Sequence, residues 1–72
     1  MNKYYCCTIV KILDKNGKNL NKYAIIVYAD SKKQAKQKLK EKYSFSHWLV
    51  YTEKRKMERS NKNRKIYPIE IK

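Results

Sequence analysis

Residues 3–29, KYYCCTIVKILDKNGKNLNKYAIIVYA, contain two apolar segments on either side of a turn, and they decide the fold of this chain. Residues 3–13 and 20–29 are rich in β-branched and aromatic side chains, which favour strands. Residues 14–17, Asp-Lys-Asn-Gly, are typical of a turn, because the aspartate can bond to the backbone that follows while the asparagine and glycine tolerate positive φ. This stretch therefore predicts a β-hairpin.

A single helix is predicted directly after the hairpin. Ser31 is a suitable N-cap residue, and Gln34 follows it at the spacing of a capping box. Residues 33–42 are good helix formers. The apolar positions recur every four residues as one narrow stripe: Ala35, Leu39 and Tyr43. One thin face of the helix is therefore expected to pack on the sheet, with the rest in water.

The C-terminal half predicts a third and a fourth strand. Residues 47–52 form the third strand, and residues 64–71 form the fourth. Pro68 places the fourth strand at a sheet edge, since proline has no N–H to give to a strand ladder. Residues 60–63 have the composition of a turn. Residues 53–59 fit two alternatives, an extension of the third strand into a long basic hairpin or a short helix.

Together these elements predict a small α+β fold in one domain, residues 1–72, with the order ββαββ. If the third strand pairs with the first, the spatial order 2-1-3-4 makes every neighbouring pair antiparallel, and one helix packs on one face. Strand alternation then places one set of side chains beneath that helix: Tyr4, Cys6, Thr8, Val10, Ile12, Tyr23, Ile25 and Val27. The other set faces an open side: Tyr5, Cys7, Ile9, Ala24, Ile26 and Tyr28. The faces of the third strand stay unassigned.

The charge of the chain indicates its partner. Nineteen Lys and Arg oppose six Asp and Glu, a formal net charge of +13 in 72 residues. Such a surface attracts polyanions, and we expect DNA or RNA, bound chiefly through its phosphates. The leading candidates form a basic tract at residues 54–65: Lys54, Arg55, Lys56, Arg59, Lys62, Arg64 and Lys65. Lysines of the predicted helix are expected to assist: Lys32, Lys33, Lys36 and Lys40.

A protein partner is the alternative, and the open face of the sheet supplies its candidate residues. Tyr5, Tyr28 and Tyr51 could stack on unpaired bases, or form a protein interface together with Ile9 and Ile26. Small basic proteins of viruses and mobile elements offer an analogy. In that case the chain would bind and inhibit, or adapt, a host protein or nucleoprotein complex, as anti-defence proteins do. The same face also offers a surface for a homodimer.

Catalysis and metal binding are not expected. Cys6 and Cys7 are neighbours that point to opposite faces of a strand, so a disulfide between them is disfavoured. His47 is the only histidine and no C-x-x-C occurs, so neither a zinc site nor a Cys–His dyad is predicted. Gly17 is the only glycine, which excludes a P-loop. We expect a non-enzymatic cytoplasmic protein without a cofactor and without insertion into a membrane.

Overall fold

A computed structural model describes residues 1–60 and 64–72. In chain order it contains β1 (Asn2–Cys7), a 3-10 turn (Leu20–Lys22), β2 (Tyr23–Ala29), α1 (Lys32–Tyr43), β3 (Leu49–Tyr51), α2 (Lys54–Ser60) and β4 (Lys65–Ile66). Within these two ranges, no helix has the length and apolar character needed to cross a membrane. Residues 61–63 of the predicted turn, including Lys62 of the basic tract, lie outside the described residues.

The strands form one mixed four-stranded sheet in the order β3-β1-β2-β4. β1 lies antiparallel to both β2 and β3, as expected from a central first strand that pairs with the third. The last strand departs from the expectation. β4 pairs in parallel with β2, at the edge opposite β3, through Tyr23–Lys65 and Ala24–Ile66. The predicted order 2-1-3-4 and the wholly antiparallel sheet are therefore wrong for β4, although its place at an edge is correct.

A second helix explains why β4 changes edge. By sequence, residues 53–59 fit either a strand or a helix, and in the structure they form most of α2. The Met57 N–H donates to the Glu53 carbonyl at 3.2 Å. A helix between two strands is a crossover, so β4 runs parallel to β3 instead of pairing with it as a hairpin. The crossovers through α1 and α2 run in opposite directions along the sheet. Right-handed crossovers of opposite direction lie on opposite faces, so the prediction of one helix on one face is corrected to two helices on two faces.

The hairpin forms, but its strands are shorter than residues 3–13 and 20–29. Thr8 is fully buried, and its Oγ1 accepts a hydrogen bond from the Val10 N–H at 3.1 Å. This local bond competes with the strand ladder, so the backbone leaves the sheet after β1. Val10, expected beneath the helix, is instead half exposed in the following loop. The prediction that strand alternation continues to residue 13 was therefore wrong.

The turn predicted at residues 14–17 is present within that loop. The Gly17 N–H donates to the Asp14 carbonyl at 3.0 Å, and Gly17 adopts a φ of 79°. Asp14 Oδ1 accepts the N–H groups of Asn16 at 2.9 Å and Lys18 at 2.8 Å. The aspartate side chain thus satisfies the backbone of its own turn, as its position in the sequence predicts.

Helix α1 begins as predicted. Ser31 Oγ accepts the Gln34 N–H at 3.1 Å, which confirms Ser31 as the N-cap. Gln34 Oε1 accepts the Asp30 N–H at 2.6 Å, one residue before the position that a capping box predicts. The predicted apolar stripe faces the sheet, with Ala35 and Leu39 fully buried.

Each face of the sheet carries its own apolar core. The larger core lies on the α1 face, and its buried members include Tyr4, Cys6, Ile25, Val27, Leu39 and Trp48. The smaller core lies on the α2 face and consists of Cys7, Ala24 and Met57. Val50 packs on the first core and Tyr51 on the second, which assigns the faces of β3. The face expected to be open is therefore partly covered by α2.

Candidate functional site

Four exposed lysines run along one flank of α1. Lys32, Lys36 and Lys40 follow one another at about one helical turn, and Lys33 lies beside them. Each step along the helix axis is about 6 Å, because each residue adds about 1.5 Å. These four residues are called the lysine row below. The row faces solvent because the buried stripe of the helix directs a different side toward the sheet.

The lysine row has no acidic partner among the residues that the structure describes. Glu41 is the one acidic residue within α1, and none of the described ion pairs involves a lysine of the row. The two other lysines of α1, Lys38 and Lys42, lie outside the row. Lys38 Nζ donates to the Tyr28 carbonyl at 2.6 Å, and Lys42 Nζ lies 5.9 Å from the centroid of the Tyr43 ring. No described ion pair therefore neutralises the positive charge of the row.

The basic residues of α2 differ, because carboxylates lie among them. Lys54 Nζ lies 3.7 Å from Glu58 Oε1, and Lys56 Nζ lies 3.7 Å from Glu53 Oε2. Arg55 Nε lies 3.9 Å from the same Glu53 oxygen. Exposed pairs of this kind contribute only about 0–1 kcal/mol to stability. Their carboxylates nevertheless reduce the positive potential that α2 presents to a polyanion.

The remaining residues of the basic tract do not continue one surface. Arg64 is half-buried, and its guanidinium donates to the Asn21 carbonyl. The Arg64 charge lowers the pKa of Cys7, although burial has the larger effect and raises it. Arg64 therefore lies near the smaller core. Arg59 is exposed in the last turn of α2, and Lys65 is exposed in β4. Arg64 therefore has a structural role in addition to any contact with a ligand.

The lysine row and the basic residues of α2 do not form one continuous surface. Leu39 of α1 packs in the larger core, and Met57 of α2 packs in the smaller core on the other face of the sheet. The sequence places both sets in one chain of 72 residues, but the sheet lies between them. The lysine row and the basic residues of α2 therefore belong to helices on opposite faces of the sheet.

The tyrosines expected on the open face do share it. Tyr5 pairs with Tyr51 of β3 on one side and with Ile26 of β2 on the other. Tyr51, Tyr5 and Ile26 therefore form a row across the sheet. The rings of Tyr5, Tyr28 and Tyr51 are half-buried, and Lys3 Nζ lies 5.5 Å from the Tyr5 centroid. The Tyr28 hydroxyl is 3.4 Å from a carboxylate oxygen of Glu70, which places a negative charge beside this row.

The two isoleucines grouped with these tyrosines lie in different surroundings. Ile26 is only 7% exposed, which leaves little of it for a partner. Ile9 is 74% exposed, but it lies in the loop after β1. The expectation that Ile9 shares the sheet face with Tyr5 and Cys7 was wrong, because the strand ends at Cys7.

A cleft that the sequence did not indicate lies at the C-terminal end of α1. It has a volume of about 340 Å³ and joins three segments that are distant in the chain. Its lining residues are Leu13, Asp14, Lys15, Asn16, Lys42, Tyr43, Ser44, Tyr67 and Ile69. Asp14 was visible in the sequence only as a turn residue, and no spacing rule connects it with residues 43 and 67. Tertiary packing alone brings these groups together.

Hydrogen bonds and charge link the polar groups of the cleft. The Tyr67 hydroxyl donates to Asp14 Oδ2 at 3.1 Å. The Lys18 N–H is the main cause that lowers the pKa of the Asp14 carboxyl, and the N–H of Asn16 and the Tyr67 hydroxyl contribute. Burial raises the pKa of Tyr43 to about 12, with Tyr67 and Asp14 adding to the effect. Burial, then the bond to Asp14, raises the pKa of Tyr67. Such a group of shifted pKa values in one concavity is typical of a binding site.

The cysteines lack the properties of a nucleophile. Cys6 and Cys7 are both fully buried free thiols. Burial raises the pKa of Cys6 to about 12, and it also raises the pKa of Cys7. His47 is exposed, and its ring packs against Phe45 with 5.7 Å between the centroids. Across residues 1–60 and 64–72, no group of three or more His, Cys, Asp and Glu side chains is arranged to hold a metal ion.

The lysine row and one wall of the cleft both belong to α1. Tyr43, the last residue of α1, lines the cleft and follows Lys40 of the lysine row by three residues, the spacing of neighbours on a helix surface. The row therefore leads toward the cleft along α1. No protein-family model, curated protein or solved structure matches this chain, so its charges, its cleft and its buried groups are the features that bear on function.

Proposed function

We propose that this protein is a non-enzymatic module that binds nucleic acid through phosphates, with the lysine row as its principal contact surface. The observation that carries the proposal is the row itself, four exposed lysines without a carboxylate partner among the described residues. Lysines that neutralise phosphates release condensed counterions, which supplies affinity that does not depend on sequence. The formal net charge of +13 adds long-range attraction.

The length of the row suits a short segment of nucleic-acid backbone. The helix rises about 12 Å between Lys32 and Lys40. One strand of B-form DNA advances about 3.4 Å per nucleotide along its axis, so the row spans roughly three or four phosphates. Lysine is a flexible point charge rather than a rigid fork, which favours contact with phosphates over recognition of base edges. We therefore expect little sequence specificity from the row.

The basic tract at residues 54–65 is the second contact surface in this proposal. Its residues on α2 are exposed, but Glu53 and Glu58 lie within ion-pair distance of Lys54, Arg55 and Lys56. A phosphate that approaches α2 meets these carboxylates as well as the cations, and the net attraction is smaller. The distribution of acidic groups thus ranks the lysine row above the tract, the reverse of the order that charge density alone suggests.

The alternative, a protein partner on the open face of the sheet, receives less support. Met57 of α2 covers Cys7 and Ala24 on that face, and Ile26 is almost fully buried. The part left accessible consists mainly of half-buried tyrosine rings. The burial of both thiols supports the non-enzymatic part of the proposal, because a thiolate is the reactive form of cysteine and a raised pKa makes it scarce.

The test is fluorescence anisotropy of labelled duplex DNA, single-stranded DNA and RNA, titrated with the protein at several salt concentrations. Each phosphate contact contributes about 0.9 to the slope of log K against log salt for duplex DNA, and about 0.7 for a single strand. The double variant Lys36→Gln/Lys40→Gln is therefore expected to lower the slope by about 1.4 to 1.8. Glutamine retains helix propensity, so α1 is expected to remain folded.

A matched control removes two lysines from α2. The double variant Lys54→Gln/Lys56→Gln changes the net charge by the same amount, and we expect a smaller change of slope because these residues already lie beside carboxylates. An unchanged slope for the Lys36→Gln/Lys40→Gln variant would overturn the assignment of the row. Equal changes for both variants would show that net charge, and not the row, governs binding.

A further inference from the structure

We propose that the cleft at the C-terminal end of α1 binds one unpaired base of a nucleic-acid strand. Its volume of about 340 Å³ falls within the range of small-ligand pockets, roughly 300–1,000 Å³. The inference rests on the proposed function and adds a preference for single strands to it. A base within a duplex is stacked and paired, so it cannot enter a pocket without leaving the helix.

The walls of the cleft suit a flat aromatic ring. Leu13 and Ile69 both line it, and they are 55% and 54% exposed although both are large apolar residues. The half-buried ring of Tyr43 lines it as well. A base placed among these side chains removes their apolar surface from water and can stack on the tyrosine. The exposure of two aliphatic side chains in one concavity is thereby explained.

The carboxylate of Asp14 supplies the polar recognition. Its Oδ1 accepts two backbone N–H groups, whereas Oδ2 accepts only the Tyr67 hydroxyl among the described residues. A carboxylate oxygen accepts more than one hydrogen bond, so Oδ2 retains a site for a donor from a ligand. A negative charge at this point disfavours a phosphate and favours the amino group of cytosine, adenine or guanine. The base therefore enters the cleft and the phosphate stays outside.

Two lysines are placed to contact the phosphate of the nucleotide whose base enters the cleft. Lys15 and Lys42 both line the cleft. An ammonium group at the rim can contact the phosphate of the bound nucleotide while the base occupies the interior. Lys40 of the lysine row lies one turn before Tyr43 on the same helix, so the phosphates of the adjoining nucleotides continue along the row. The row then supplies affinity and the cleft supplies the preference for an unpaired base.

The test compares a single strand with a duplex of equal length by anisotropy at fixed salt. The double variant Leu13→Ser/Ile69→Ser removes the apolar walls without a change of charge, and both positions are exposed enough to be tolerated. We expect roughly tenfold weaker binding of the single strand, the scale of one stacked base, and no change for the duplex. The matched control is Ile9→Ser/Val10→Ser, two exposed apolar residues that do not line the cleft. Thermal unfolding followed by Trp48 fluorescence verifies that each variant is folded.

A second comparison tests the role of Asp14. Oligodeoxycytidine and oligodeoxyuridine of equal length differ at the 4-position, where cytosine carries an amino donor and uracil a carbonyl acceptor. We expect the cytosine strand to bind the wild-type protein roughly fivefold more tightly, the scale of one hydrogen bond. Equal binding of the two strands, or equal losses for strand and duplex in the Leu13→Ser/Ile69→Ser variant, would reject the cleft proposal alone. Absence of salt-dependent binding to every probe would reject the proposed function itself.

Discussion

The Tyr67 hydroxyl donates a hydrogen bond to Asp14 Oδ2 at 3.1 Å, and this contact joins two residues that are 53 positions apart. Tyr67 is only 7% exposed, and its ring meets the Tyr23 ring edge-on with 5.3 Å between the centroids. The other oxygen of Asp14 accepts the backbone N–H groups of its own turn. A local turn and the C-terminal segment are thereby held together, and the proposed base-binding cleft lies where they meet.

The first prediction concerns this contact. Hydrogen bonds to the charged form, led by the Lys18 N–H, lower the pKa of the Asp14 carboxyl in the folded protein. A lowered folded pKa stabilises the fold above the unfolded pKa, and this contribution is lost as the pH falls through the folded pKa. Tyr67→Phe removes one of these bonds, so the Asp14 pKa should rise toward its ordinary value of 3.8. An NMR titration of the Asp14 carboxyl measures the change.

The control for that titration is Tyr23→Phe. Tyr23 contacts Tyr67 through its ring, and no hydrogen bond between Tyr23 and Asp14 occurs in the described part of the chain. The Asp14 pKa should stay at its wild-type value in Tyr23→Phe. An Asp14 pKa that is the same in wild type and Tyr67→Phe would contradict the assigned role of the tyrosine hydroxyl.

The second prediction concerns alkaline pH. Burial raises the pKa of Cys6 from 9.0 to about 12. A raised folded pKa means that the folded state holds its proton while the unfolded state loses it, so stability is full below pH 9 and falls above it. Between pH 9 and pH 10 we expect the free energy of unfolding to fall by roughly 1 kcal/mol through Cys6. Urea unfolding followed by Trp48 fluorescence at both pH values measures this loss.

Cys6→Ala supplies the comparison for the alkaline experiment. The variant is less stable at every pH because it leaves a small cavity in the larger core. Between pH 9 and pH 10 its free energy of unfolding should fall less than that of the wild type, since one buried thiol has been removed. The raised pKa of Cys7 accounts for part of the fall that remains. A pH dependence as steep as that of the wild type would show that Cys6 is not the group responsible.

The third prediction concerns how α2 is attached. Met57 is the buried residue of this seven-residue helix, and it packs on Cys7 and Ala24. Met57→Ala should lower the free energy of unfolding by about 2–5 kcal/mol, the usual cost of truncating a buried methionine. It should also increase the reaction rate of Cys7 with a thiol reagent, because α2 covers that residue. Met57→Leu conserves volume and should cost less than about 1.5 kcal/mol.

Cys6 serves as an internal reference in the same reaction. It lies in the core beneath α1, so loosening α2 should affect its reactivity less than that of Cys7. Mass mapping of the modified peptides cannot separate adjacent cysteines without fragmentation, so Cys6→Ala and Cys7→Ala backgrounds distinguish them. Unchanged reactivity of Cys7 in Met57→Ala would mean that α2 does not protect it.

The fourth prediction concerns the end of α1. Ser44 follows the helix with a φ of 56°, a left-handed conformation that glycine adopts without steric cost, and it lines the cleft. Its N–H donates to the Lys40 carbonyl at 2.7 Å, a bond that glycine preserves. Ser44→Gly should raise the free energy of unfolding by about 1 kcal/mol, and the melting temperature by roughly 4–8 °C.

Ser46→Gly is the matched control for the helix end. Ser46 is also exposed and lies two residues further along, but it has no positive φ, so glycine only adds freedom to the unfolded chain. Ser46→Gly should therefore leave stability unchanged or lower it. A decrease in melting temperature for Ser44→Gly would refute the claim that its conformation is strained.

The parts of the fold that depend on neighbouring residues were predictable. Ser31 and Gln34 identify the start of α1 because a cap is formed by groups a few residues apart. The turn at Asp14 and the alternation within β1 are local in the same sense. β1 ended early because Thr8 bonds to the Val10 N–H, a competitor of the strand ladder that the β-branched composition of the segment does not reveal.

The candidate site was predictable only in part. The four helix lysines were identified from charge, and the helical period places them on one flank. The pairing of α2 lysines with Glu53 and Glu58 depends on whether residues 53–59 form a helix, which the sequence left open. The cleft was not predictable, because Asp14, Tyr43 and Tyr67 have no spacing in the sequence that marks them as neighbours.

The sequence by itself determined the hairpin, the capped helix, the central place of β1 and the strongly positive charge, since each follows from composition or from interactions over a few residues. Only the tertiary structure decided that β4 joins β2, that α2 covers the second face, and that Asp14 meets Tyr67. Long-range pairings are chosen by the burial and hydrogen bonding of the whole chain, because several arrangements satisfy the same local pattern. Met57 is the buried residue through which α2 packs on the face that the local pattern left open.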